Sequence, residues 1–128
     1  IVGINLANVG TCLPHRMQYA VGVKTDTSHA AGISALYPAW IQRQYDVSEN
    51  KVKDIMYWLT GKKILSGEEA REEMAEFMRK ISVLKTLADL GIKKEDLPEL
   101  IKQVTGNISN DRLSEQKDII SSIYYDSL

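Results

Sequence analysis

Cysteine occurs once in this chain, at Cys12, and histidine only twice, at His15 and His29. A lone thiol excludes an internal disulfide framework and fits a reducing compartment, so a cytoplasmic location is expected. Neither sign of charge is in excess: 16 Lys and Arg face 17 Asp and Glu, for a net charge of −1. That balance argues against nucleic acid or an anionic membrane surface as a partner. No apolar run is as long as a membrane span, and no basic flank precedes the apolar N-terminus. Also missing are period-two alternation, an internal repeat, and a strand–Gly-rich turn–helix unit for nucleotide phosphates.

What is present reads as helix from end to end. The 128 residues, 44% of them apolar, suffice for one domain with its own core. Residues 2–22 carry Ile4, Leu6, Ala7, Val9, Leu13, Met17 and Val21 with few charges, as a buried helix does. Pro14 should bend or restart that helix just before His15. Thr25 to Ser28 supplies four candidate N-caps for a helix over about 29–45. Asp46 to Glu49 and Ser66 to Glu69 have the spacing of capping boxes. The first leads into a helix stopped by Gly61. The second leads into a stripe of Ala70, Met74, Phe77, Ile81, Leu84 and Ala88, about five turns ended by Gly91. A short helix over 95–104 and a last one capped by Ser114 complete the pattern. The expected fold is all-α, a single-domain bundle of about six helices spanning 1–128.

Chemistry concentrates near the N-terminus. Neutral imidazole is the commonest protein metal ligand. His15 lies on an apolar helix, and His29 at the start of the next segment can meet it where the chain folds back. Two ligands make half a site. A self-contained zinc set is conceivable, with Cys12 three residues before His15 and Asp26 three before His29. The plainer reading makes both histidines structural, Cys12 a small buried group and Asp26 a cap, in a stand-alone helical domain that binds a partner protein. Trp40 and Trp58 read as core or interface anchors. Arg71, Glu72, Glu73, Glu76, Arg79 and Lys80 read as a solvated face.

The words around the histidines carry more. Asn8-Val9-Gly10, then His15-x-Met17, then Gly22, then His29 resemble the metal-binding stretch of the iron-containing (group III) alcohol dehydrogenases. Leu90-Gly91-Ile92 with Asp96-Leu97-Pro98 resembles that family's late helical segment, and Asn110 to Ile119 is a loose echo of its end. The resemblance covers most of the chain and is specific over its first thirty residues. It implies a C-terminal helical metal-binding domain of a two-domain NAD(P)-dependent alcohol dehydrogenase or aldehyde reductase, with His15 and His29 as two ligands to Fe²⁺ or Zn²⁺. The other two ligands and most of the NAD or NADP site would belong to an N-terminal nucleotide-binding domain. Opening on Ile1 rather than Met fits either processing of the N-terminus or excision from a longer protein.

The resemblance further implies a small alcohol or aldehyde substrate and metal-polarised hydride transfer. A face bared where the N-terminal domain packs, on the 2–22 helix and the turn to His29, should make the isolated chain dimerise or aggregate, and a homo-oligomer is the expected state of the protein. Two departures stand out. Tyr19 takes the place of the family's middle histidine, which is implicated in proton transfer, and Ser28-His29-Ala30 replaces Pro-His-Gly. Tyr19 is thus the expected catalytic side chain, although a phenol of pKa about 10 relays protons poorly near neutrality. A core tyrosine bonded to a backbone carbonyl is its alternative. Leu6 falls where the family has a substrate-pocket residue.

Overall fold

A computed structural model describes residues 11–128, and every described element is helical. Asn8-Val9-Gly10 and Leu6 lie outside the described residues. Five α-helices follow one another: α1 (Leu13–Thr25), α2 (His29–Thr60), α3 (Gly67–Lys80), α4 (Leu97–Gln103) and α5 (Ile119–Asp126). Two 3₁₀ segments, Lys94–Asp96 and Arg112–Glu115, precede the last two helices. The all-α expectation holds, with five α-helices among the described residues rather than about six.

Most boundaries follow from local chemistry. Pro14 opens α1 instead of bending a longer helix: Cys12 is extended, and proline fits the first turn because no helical N–H is needed there. Ser28 caps α2, its hydroxyl accepting from the Ala31 N–H at 3.3 Å. Gly61 closes α2 at φ 73°, a left-handed position that glycine adopts without strain.

The expected break near Asp46 falls at Ser48, whose φ −149° and ψ 42° are non-helical, so α2 is two helical stretches joined at a kink. The capping box is not formed, and Glu49 bonds Tyr45 and Lys53 instead. At Ser66 the expected box is half formed. The Ser66 hydroxyl accepts from the Glu69 N–H, but the Glu69 carboxylate reaches Leu65 N–H at 2.7 Å.

α3 stops earlier than its stripe implies. Ser82 turns left-handed at φ 61°, and residues beyond it form turns in which Thr86 and Asp89 bond each other's backbone N–H groups. Leu87 is therefore buried in place of Ala88, and Ile81 is exposed. Ser114 lies within the second 3₁₀ segment, and Asp118, not Ser114, begins α5.

Two apolar clusters result. The first gathers Leu13, Met17 and Val21 of α1 with Leu36, Leu87, Leu97, Leu100, Leu113, Ile123 and Tyr124. The second holds Ile41, Val52 and Met56 of α2 with Ile64, Ala70, Met74 and Met78, and Trp40 packs against both. Trp58 is not a core residue: it is 84% exposed. Arg71 leaves the expected solvated face, donating to the Asp126 carbonyl at 2.5 Å and to Gln42 at 3.1 Å. Among the described residues no helix is long and apolar enough to cross a membrane.

Candidate metal centre

α1 begins where a buried carboxylate receives it. Leu13 N–H, one of the first-turn donors with no intrahelical partner, donates to Asp111 Oδ2 at 3.2 Å. The same carboxylate accepts from Trp40 Nε1 at 2.9 Å, Gln44 Nε2 at 2.5 Å and Leu113 N at 3.0 Å. Asp111 is 3% exposed, so these bonds meet the need of a charge withdrawn from water. They lock the start of α1, and with it His15, against the middle of α2.

α1 ends on Asp26 in the left-handed region, whose N–H bonds the Gly22 carbonyl at 2.9 Å. Residues 26–28 then turn the chain back past Gly22, and Ser28 starts α2 with His29 as its first residue. The return brings the two histidines together. His15 Nδ1 lies 2.9 Å from His29 Nε2, with ring centroids 5.0 Å apart. His29 Nδ1 in turn bonds the side-chain carbonyl of Gln18. Tyr19 also packs on His29, its ring centroid 5.7 Å from that of the imidazole at an interplanar angle of 28°. It is about half exposed and so is not the core tyrosine of the alternative reading. That residue is Tyr124, whose hydroxyl donates to the Met17 carbonyl at 2.7 Å. Burial holds the Tyr124 hydroxyl far above the ordinary phenol range.

The electrostatics favour ligation by nitrogen and not by sulfur. Partial burial, and then the neighbouring His29, lower the pKa of His15 and so favour the neutral ring that a cation needs. Burial, and then the nearby Asp111, push the Cys12 thiol up and keep it protonated. The conceivable Cys12–His15–Asp26–His29 set is not assembled: among the described residues no three His, Cys, Asp or Glu side chains are placed to hold an ion. Two imidazoles converging at an accessible corner suit a borderline-soft divalent ion as half of a coordination sphere.

Two residues of this corner are not singled out by the sequence. Gln18 stands between Met17 and Tyr19, and its one signal is polarity on a face that is otherwise apolar. Asp111 sits in a polar stretch where nothing separates it from its neighbours.

The model of the Fe-containing alcohol dehydrogenase family, C-terminal, matches residues 1–128. Lactaldehyde reductase of Escherichia coli (strain K12) is 29% identical over 129 residues, covering 94% of this chain and 34% of the relative. The long-chain primary alcohol dehydrogenase AdhA of Thermoanaerobacter ethanolicus is 26% identical, covering 99% of this chain and 34% of the relative. The chain thus spans about a third of the length of the curated relatives it matches. A crystal structure of a 1,3-propanediol oxidoreductase shares the fold at TM-score 0.65 and 22% identity, over 89% of this chain and 32% of that one.

Proposed function

The chain belongs to the Fe-containing alcohol dehydrogenase family, matching its C-terminal portion, and on that premise we propose that it is the metal-binding helical domain of an NAD(P)-dependent alcohol dehydrogenase or aldehyde reductase. The observation that carries this reading is the meeting of His15 and His29, 2.9 Å apart between ring nitrogens, at the turn from α1 to α2. They are two ligands of Fe²⁺ or Zn²⁺, and the others come from a nucleotide-binding domain outside this chain. The bound cation supplies a Lewis acid toward the oxygen of a small alcohol or aldehyde.

The residues of the chain have separable tasks. His15, disfavoured as a cation by burial and by its neighbour, offers an unprotonated nitrogen. Asp111 holds the start of α1 so that this nitrogen stays in place. Tyr19 packs beside His29 and is half open to solvent, where its O–H serves as hydrogen-bond donor or proton carrier for the substrate oxygen. The intact enzyme is proposed to act as a homo-oligomer.

The test uses the intact protein. His15→Ala and His29→Ala should each strip the metal, measured by elemental analysis, and abolish alcohol oxidation. Tyr19→Phe should keep the metal and lower turnover roughly ten- to a hundredfold, at and below the low end of what a general acid–base group supplies. Full metal content in both histidine variants would sink the reading. Unchanged kinetics in Tyr19→Phe across the pH range would remove only the tyrosine from it.

A further inference from the structure

Gln18 is 3% exposed although it lies on a helix whose next residue, Tyr19, and whose Lys24 face solvent. A buried amide is costly unless it is bonded, and its carbonyl finds His29 Nδ1. Room for it exists because two nearby positions lack side chains. A methyl group on Gly32 would overlap the Gln18 side chain outright, and one on Gly22 would stand 2.9 Å from its Nε2. Gly32 itself is buried in the first turn of α2. The slot is thus shaped jointly by both helices that carry the histidines.

We propose that Gln18 is the positioning residue of this corner, its carbonyl fixing His29 with the proton on Nδ1 so that the Nε2 lone pair faces His15. A neutral imidazole has one N–H and one lone pair, and a side-chain carbonyl only accepts. The ring nitrogen that meets it must therefore be the donor, which leaves Nε2 as the nitrogen free to accept or to ligate. An unrestrained imidazole favours the opposite tautomer, with the proton on Nε2, which would point an N–H at His15 and block ligation there. Partners of this kind, bonded to the far nitrogen of a ligating histidine, set its tautomer and orientation. The tautomer stands on the Gln18 contact alone; its meaning for a cation rests on the metal-binding reading above.

The experiment takes the intact protein with ¹⁵N-labelled histidine rings, stripped of metal, at a pH where the imidazoles are neutral. NMR of the ring nitrogens should find the His29 proton on Nδ1. In Gln18→Met, similar in length but without the acceptor, it should move to Nε2. Gly32→Ala, which displaces Gln18 without altering it, should do the same, and Gln18→Glu should restore Nδ1–H. A wild-type His29 protonated on Nε2, or a tautomer unmoved in Gln18→Met, overturns the proposal. Titration with Co²⁺ adds a second readout, in which Gln18→Met should weaken binding about 10- to 100-fold and Gln18→Glu should recover most of it. Should His29→Ala abolish Co²⁺ binding while Gln18→Met leaves it intact, the positioning role fails. If His29→Ala binds Co²⁺ as tightly as wild type, the metal reading fails instead, and the tautomer measurement still decides the role of Gln18.

Discussion

Leu13, Met17 and Val21 of α1 find their apolar partners far along the chain, at Leu87, Leu97, Leu113 and Tyr124. Ile41, Val52 and Met56 of α2 find theirs at Ile64, Ala70 and Met74, around one turn. The histidine corner stands on the first of these cores and not on the second. Its anchor bond, Leu13 N to Asp111 Oδ2, joins residues 98 apart in sequence. A site on such a core depends on segments that must all be in place, because long loops are closed before their contacts reward it. The apolar core of the α2–α3 hairpin is drawn from the hairpin itself, and Arg71 ties it to the Asp126 carbonyl at the end of α5. The comparison therefore separates what places the histidines from what merely stabilises the domain.

The largest expected effect strikes the long-range core. Asp111→Ala removes the acceptor of four donors: Leu13 N, Trp40 Nε1, Gln44 Nε2 and Leu113 N. Orphaned buried donors cost about 1–3 kcal/mol each, and relaxation recovers part of the sum, so a loss of about 3–5 kcal/mol is expected. Denaturant unfolding would measure it. The His15 ring signals should shift in the variant even where it remains folded, since the start of α1 is freed. A loss below about 1 kcal/mol would mean that the carboxylate is not the hub its four bonds describe.

The same division explains what could be read from the sequence. Ser66 with Glu69 and the acids at 68–69 mark the start of α3 through contacts within a few residues, and the helix starts there. Gly61 ends α2 for an equally local reason. The convergence of His15 and His29 was legible because one turn separates their helices and the surrounding words resemble a known stretch. By contrast, the apolar spacing from Ala70 to Ala88 continues past the end of the helix. A periodic pattern cannot report that Ser82 turns left-handed or that Leu87 N–H bonds the Ser127 carbonyl, 40 residues on. Asp111 and Gln18 escaped for the same reason: each owes its role to partners on other helices.

A second, smaller effect tests the independence of the hairpin. Met56 is fully buried in the second cluster, and Met56→Ala should destabilise the protein by about 2–4 kcal/mol through lost transfer energy and a cavity. The native-state signals of His15, His29 and Tyr19 should nonetheless be unchanged, since none of these residues packs on that cluster. Shifted histidine signals at full folding would break the comparison, because the two cores would then share strain through Trp40, which packs on both.

The smallest expected effect is electrostatic and lies at the far end of α1. Lys24 pairs with Asp96 at 2.9 Å, linking the last turn of α1 to the 3₁₀ segment before α4. The bond from Lys24, and then that from the Lys93 N–H, hold the Asp96 carboxyl below the usual carboxylate range. The folded state thus binds its proton less readily than the unfolded state does. The stabilisation is present above the unfolded aspartate value, about 3.9, and is lost as pH falls through the lowered folded value. Asp96 raises the Lys24 value in return, so the lysine's share is present below its ordinary range and lost as pH rises through the raised value. Both partners keep water contact, and the pair should weaken as salt rises. Lys24→Met should therefore move the Asp96 titration, followed by carboxyl-carbon NMR, upward only part of the way to an ordinary aspartate. The remainder persists because the Lys93 N–H still donates at 2.8 Å. If the Asp96 midpoint does not move, the tie between α1 and the α4 entry rests on apolar contact alone, and the long-range core owes nothing to charge at that end.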